Sequence, residues 1–277
     1  MPIPLIIAHR GASAVAPENT LAAFKKALDV GADGVEFDVR LSKDGVPVVI
    51  HDETLLRTAG INKRVAELTA EQLSRVDAGS WFNAAYPRHS KPAFASEVVS
   101  SLRTVLQLLK GIDGPIYIEL KREIDEDSTP LVEAVCHEIA NSRLAEKVIV
   151  QSFHLAVVAQ TRACLPGVRT AALFAPKLMR ILRKEKYLID IAREFGADQL
   201  SLHKALVSRR LLRKTEKEGL PVTVWTVDTT RWISRATRLG LYAVITNDPS
   251  KLLLAMPQGR AQGEIEGSSL DNSPPTE

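Results

Sequence analysis

The chain has 277 residues, 45% hydrophobic and 25% charged, with a formal charge of +3. Such a composition suits a globular protein with a sizeable core, and so small a charge excess gives no ground for nucleic acid as a partner. No apolar run approaches the roughly 18 residues of a spanning helix. The N-terminal MPIPLIIAHRG has neither a charged n-region nor a long apolar stretch, so no signal peptide is expected and a cytoplasmic location is.

Strands and helices alternate along most of the chain. Ile3 to Ala8 is the first expected strand and stops abruptly at His9-Arg10-Gly11. Pro17 to Val30 is a predicted helix, with Asn19 or Thr20 to cap it, Leu21, Phe24 and Leu28 on its apolar face, and Gly31 to end it. Gly34 to Val39 is the second strand. Its two-residue period puts Glu36 and Asp38 on one face and Val35, Phe37 and Val39 on the other. Lys43-Asp44-Gly45 turns the chain into a short extra strand, Val46 to Ile50, ending in His51-Asp52. Residues 53 to about 99 then interrupt the rhythm, which resumes with strands near residues 117, 149, 171, 200, 224 and 244 and helices between them. Eight core strands with helices over about 250 residues predict a (β/α)₈ TIM barrel, residues 1–256, carrying a small insertion after the second barrel strand. An open doubly wound sheet is the alternative, but the first turn has no G-x-G-x-x-G. From Gln258 the chain turns rich in Gly, Ser, Pro and acids, and residues 257–277 are expected to be a disordered tail. Cys136 and Cys164 lack metal-ligand spacing and are expected to be buried thiols.

The chemistry-bearing residues gather at strand ends. Ile116 to Lys121 puts Glu119 and Lys121 on one face. Glu36, Asp38 and Glu119 would then converge from adjacent strands, where three bare carboxylates repel one another. An oxygen-preferring divalent cation, Mg²⁺ or Ca²⁺, relieves that repulsion. The alternative is that each acid caps an amide or pairs with a lysine. His9 and His51 both sit where a strand stops, and two imidazoles across a phosphate form an acid–base pair near neutral pH. Arg10 suits a grip on the phosphate.

The motifs His9-Arg10-Gly11, Pro17-Glu18-Asn19-Thr20, Glu36-x-Asp38, His51-Asp52 and Leu56-Arg57-Thr58, in this order, resemble the signature of glycerophosphodiester phosphodiesterases. The likeness continues through Glu119-x-Lys121, Gln151-Ser152-Phe153, Trp225-Thr226-Val227 and Thr246-Asn247-Asp248-Pro249. The resemblance implies metal-dependent hydrolysis of glycerophosphodiesters to an alcohol and sn-glycerol 3-phosphate, through a cyclic phosphate made by the substrate's own neighbouring hydroxyl. By the same resemblance Glu36, Asp38 and Glu119 hold the ion, Arg10 and Lys121 neutralise the phosphoryl oxygens, and His9 and His51 are acid and base. Trp225 walls the glycerol pocket, and residues 53–99 cover the barrel mouth. Glu18 either orients the site or merely favours a helix N-terminus. Two other readings stay open: a phospholipase D-type enzyme acting on lysophospholipids or sphingolipids, and a phosphate-binding barrel without turnover.

Two departures from the family pattern stand out. Ser100-Ser101-Leu102-Arg103 replaces a Pro-Thr-Leu-Glu-like approach to the second barrel helix, which leaves that helix's start in doubt. Asn247-Asp248 stands where an acid directly after the threonine is common, so no catalytic role is assigned there. His89 and His137 have no partner pattern, nor does His203, while His154 lies at a strand end. Residues 177–217 hold twelve Lys or Arg against five acids. That stretch is either a solvated barrel face or a rim meeting anionic membrane.

Overall fold

The computed structural model describes residues 3–122, 127–177 and 186–256. The expected disordered tail, and residues 178–185 of the basic stretch, lie outside them. Nine strands are described: β1 (Leu5–His9), β2 (Gly34–Leu41), β3 (Pro47–Val49), β4 (Ile116–Leu120), β5 (Val148–Ser152), β6 (Arg169–Phe174), β7 (Gln199–His203), β8 (Val222–Trp225) and β9 (Ala243–Thr246). Eight pair in parallel in the ring β1-β2-β4-β5-β6-β7-β8-β9, which closes because β1 bonds both β2 and β9. The fold is the (β/α)₈ barrel. β3 stands outside the ring, antiparallel to the far end of β2 with Val39 opposite Val49.

The closed ring follows from strands that are apolar on both faces. Outward, Val35, Phe37, Ile116, Ile118, Val148 and Val150 pack under Phe24, Leu102, Val105, Leu106, Val132 and Val135 of the helices. A matching cluster around Leu200, Leu202, Val222 and Val224 covers the other half. Inward, Ile7, Tyr117, Ile149, Ala171, Ala243 and Ile245 fill the barrel. The buried Tyr117 hydroxyl donates to Gln199 Oε1 at 3.1 Å and lies 2.8 Å from Thr223 Oγ1. The interior is therefore packed, and any site must lie at its open end.

Local signals set the boundaries. Asn19 adopts φ +58° and turns the chain before Thr20, so the first helix runs only over Leu21–Asp29, with Thr20 Oγ1 accepting from the Ala23 amide. Ser101 accepts from the Thr104 amide and caps Leu102–Leu108, so the second barrel helix starts cleanly despite its unusual approach. Helix Leu155–Cys164 ends in an exposed Cys164, while Cys136 is buried. The expectation of two buried thiols fails for Cys164, which reaches the Cys136 thiol from the last residue of its helix, where solvent still meets it. In the described part of the basic stretch, helix Arg209–Lys217 turns Leu211, Leu212 and Thr215 inward. No helix among the described residues is long and apolar enough to cross a membrane.

The insertion has a core of its own, in which Leu55, Val65, Leu73 and Val76 pack on Val48 and Ile50 beside β3. A second contact sets Phe82 and Phe94 against Ala16 and Ala23 at the start of the first helix. It is thus anchored to two neighbouring barrel segments, next to the ends of β1 and β2.

Gly11 has φ +79°, and a Cβ there would stand 2.5 Å from the Ala23 carbonyl carbon. Gly45 has a similar φ of +77° but open space around it. Gly11→Ala should cost about 3 kcal/mol or more, from strain plus overlap, and Gly45→Ala about 1 kcal/mol from strain alone. Urea unfolding of both variants checks this, and equal losses would contradict the close approach of the first turn to its helix.

Candidate active site

The inward alternation of β2 and the parallel register of β4 bring three acids to one point. Asp38 stands opposite Glu119 across the two strands, and Glu36 is opposite Tyr117 one step deeper. All three are buried, and one carboxylate oxygen from each lies within 4.8 Å of the others. Lys121, just past β4, places Nζ 3.1 Å from Asp38 Oδ1 and 2.5 Å from Glu119 Oε1. Arg10, held at φ +56°, places Nε 3.1 Å from Asp38 Oδ2 and donates from Nη1 to Glu18 Oε1 at 2.8 Å. Asn19 Nδ2 donates to Asp38 Oδ2 at 3.0 Å, and Gln151 Nε2 to Glu36 Oε1 at 3.2 Å.

The acids do pair with a lysine, as the plainer expectation had it, yet the pairing is incomplete. Asp38 Oδ1 is fully buried and accepts no aligned hydrogen bond, its 3.1 Å contact with Lys121 being an off-line charge contact only. With Glu18 and Asp52 included, five carboxylates meet the three permanent cations Arg10, Lys121 and Arg57. Fully ionised, the site carries two surplus negative charges. Burial, together with the charges of Asp38 and Glu119, pushes the Glu36 carboxyl well above its usual range. Burial and Asp38 push Glu119 up to about 7, against the pull of Lys121. Asp38 goes the other way, since Lys121 and Arg10 outweigh its burial and hold it ionised. An orphaned carboxylate oxygen, surplus negative charge and an all-oxygen donor set suit a hard divalent cation, whose bonds of about 2.0–2.6 Å span oxygens at this spacing.

Both predicted histidines face this cluster. His9 closes β1, with Nδ1 2.6 Å from Asn247 Oδ1 and Nε2 3.8 Å from Glu36 Oε2. His51, just beyond β3, has Nδ1 2.6 Å from Asp52 Oδ1. Arg57 of the insertion donates to Asp52 Oδ2 at 2.6 Å and to both oxygens of Glu18 at 3.0 and 2.7 Å. One chain of charge thus runs from His51 through Asp52, Arg57 and Glu18 to Arg10. Burial, then the charge of Arg10, lowers His9 to about 4. Burial also lowers His51, helped by Arg10 and Lys121 and opposed by Asp38 and Asp52. Asp38 therefore acts on both imidazoles.

Trp225 ends β8 and is half-buried, its Nε1 donating to the Ser201 carbonyl at 3.2 Å. Its ring lies 5.6 Å from that of Phe153 and 5.0 Å from that of His203. Lys121 Nζ sits 5.9 Å from the Phe153 ring, which links this aromatic wall to the carboxylate cluster. Ser152 is buried and donates to the Leu120 carbonyl at 2.9 Å, which is a structural bond. His154 heads the helix Leu155–Cys164. His89 and His137 are exposed, and His137 pairs with Asn141 in its own helix. A hollow of about 740 Å³ lined by Lys26, Arg88, Lys91 and Lys251 contains none of the cluster residues. A smaller cleft beside the cluster is lined by Glu18, Asn19, His51 and Arg57.

Several participants were given no part in the chemistry by the linear pattern. Asn19, Gln151, Asp52 and Arg57 lie inside motif stretches, and Asn19 at positive φ is a residue type that tolerates that region. Asn247 lies in the last quoted motif, and nothing there pointed to His9, 238 residues away, as its partner.

The chain matches the model of the glycerophosphoryl diester phosphodiesterase family over residues 9–251. It is 33% identical over 261 residues to a glycerophosphodiester phosphodiesterase from Caldanaerobacter subterraneus subsp. tengcongensis, covering 92% of this chain and 98% of the relative. A glycerophosphodiester phosphodiesterase structure from Agrobacterium tumefaciens superposes with a TM-score of 0.73 at 26% identity, covering 91% of this chain and all of that one. An Oleispira antarctica phosphodiesterase solved with the product sn-glycerol-3-phosphate shares the fold, with a TM-score of 0.75 at 24% identity and coverage of 91% and 96%.

The raised carboxyls work against cation binding at low pH. Below about 7 a proton resides on Glu119, with Glu36 raised as well, and a cation must displace it. Mg²⁺ or Ca²⁺ affinity, measured by titration calorimetry without substrate, should rise between pH 6 and 8 with proton release, and Asp38→Asn should abolish it. A pH-independent affinity would contradict this electrostatic account.

Proposed function

The chain belongs to the glycerophosphoryl diester phosphodiesterase family, and from that premise we propose that it hydrolyses glycerophosphodiesters to an alcohol and sn-glycerol 3-phosphate. The observation that carries the reading is the meeting of two imidazoles, two cationic side chains and a buried carboxylate trio at one end of the barrel. A module that only held phosphate would have no use for two imidazoles with their own supporting partners.

Glu36, Asp38 and Glu119 would hold one divalent cation, Mg²⁺ or Ca²⁺. When bound, that ion supplies positive charge that polarises the phosphoryl group. Arg10 and Lys121 face the remaining phosphoryl oxygens and stabilise the charge that builds there during displacement. The aromatic wall of Trp225 and Phe153 offers an apolar surface to the glycerol carbons and excludes water from that side.

The two imidazoles differ in their supports, and this divides the labour. His9 rests on a neutral amide and stays unprotonated, as a base must. His51 rests on the Asp52 carboxylate, whose charge offsets part of the lowering by burial, so of the two imidazoles it is the one better supported to carry the acid's proton. His9 takes the proton from the substrate's neighbouring hydroxyl as that oxygen bonds to phosphorus. His51 gives a proton to the departing alcohol as its oxygen–phosphorus bond breaks. The roles then reverse: His51 draws a proton from water, which opens the cyclic phosphate, and His9 returns its proton to the ring oxygen. Both side chains end as they began.

Purified protein incubated with glycerophosphocholine, with released glycerol 3-phosphate coupled to its dehydrogenase, tests the reading. Turnover should vanish with EDTA, and His9→Ala and His51→Ala should each lower kcat by about 10²- to 10⁴-fold. Release from lysophospholipids alone would make it a lysophospholipase D, and release from neither would leave a phosphate-binding barrel.

A further inference from the structure

We infer that Asp228 is a positioning residue that sets the tautomer of His9 through the amide of Asn247. The inference rests on the reading of His9 as the base. Asp228 lies three residues beyond β8 and Asn247 one beyond β9, and β9 lies beside β1, which ends in His9. Asp228 Oδ1 accepts from the Asn247 backbone amide at 2.9 Å and from the Thr246 hydroxyl at 3.1 Å. Its Oδ2 accepts from Asn247 Nδ2 at 3.0 Å.

An ionised carboxylate only accepts, so Asn247 must turn its NH₂ toward Asp228 and its oxygen toward His9. Ser13 does not choose between the orientations, since its single hydroxyl hydrogen serves either the His9 carbonyl at 2.8 Å or Asn247 Oδ1 at 3.2 Å. Facing an acceptor at 2.6 Å, His9 Nδ1 must carry the hydrogen. Nε2 then holds the free lone pair, and it is the nitrogen turned toward the carboxylate cluster, 3.8 Å from Glu36. Without an acceptor at Asp228 the two orientations of the Asn247 amide become comparable. The flipped amide would offer NH₂ to Nδ1, select hydrogen on Nε2, and leave the ring unable to take a proton where the substrate lies.

The test exchanges the two residues. Asp228→Asn removes the acceptor-only constraint and should lower kcat about 10- to 100-fold with little change in KM. In ¹⁵N-histidine spectra, the His9 signals, assigned with His9→Gln, should move from a pure Nδ1–H pattern to a mixture. In the double variant Asp228→Asn/Asn247→Asp, residue 228 donates and residue 247 accepts, so the hydrogen should return to Nδ1 in the spectra, while kcat recovers only in part because the group behind His9 is now a carboxylate. Asp228→Asn with unchanged kcat, or with lowered kcat but an unchanged His9 spectrum, overturns the inference. So does a double variant that keeps the wild-type unfolding midpoint yet leaves the His9 spectrum as mixed as in the single one. The spectra need no substrate, so they decide the inference even if glycerophosphodiesters are not turned over.

Discussion

Three carboxylates buried at one point, with too little positive charge to neutralise them, are the constraint around which this molecule is built. Burial alone would protonate them all, and Lys121 and Arg10 suffice only for Asp38, which stays ionised while Glu36 and Glu119 are driven upward. A buried charge cluster of this kind is costly to a fold, and it persists where a cation and a charged substrate can complete it. The rest of the barrel serves to hold these acids where solvent can no longer screen them.

The barrel does so with ordinary means. Below the acids, Tyr117, Gln199 and Thr223 close the interior through mutual hydrogen bonds, so the cluster sits on a packed floor. β2 outlasts its barrel neighbours because β3 pairs with its far end, and this carries the chain to His51 beside Asp38. The insertion contributes through Arg57, which clamps Asp52 and Glu18 together and so ties the support of His51 to the side chain that orients Arg10. Displacing the insertion would therefore disturb an imidazole and a guanidinium at once.

In the mechanism proposed above, the two imidazoles would divide acid from base without being separated in space. Each uses Nδ1 for support at 2.6 Å, which leaves Nε2 for chemistry. A carboxylate behind one and an amide behind the other make the difference. Replacing a negative acceptor by a neutral one changes which protonation state is favoured while leaving the ring in place.

Much of this was legible in the linear pattern, and the reason is periodicity. Alternation along Gly34–Val39 and Ile116–Lys121 was enough to aim Glu36, Asp38, Glu119 and Lys121 inward, because strand faces repeat every two residues wherever the strand lies. The eightfold alternation of strands and helices gave the barrel, and motifs in order gave the family. What could not be read there depended on chain closure. Asn247 supports His9 because β9 returns to bond β1, and Gln151 on β5 reaches Glu36 on β2 past the intervening β4. Sequence alone determined which residues face the interior, since that is a property of each strand. The tertiary structure alone decided which partner each one meets, since that is a property of the closed ring.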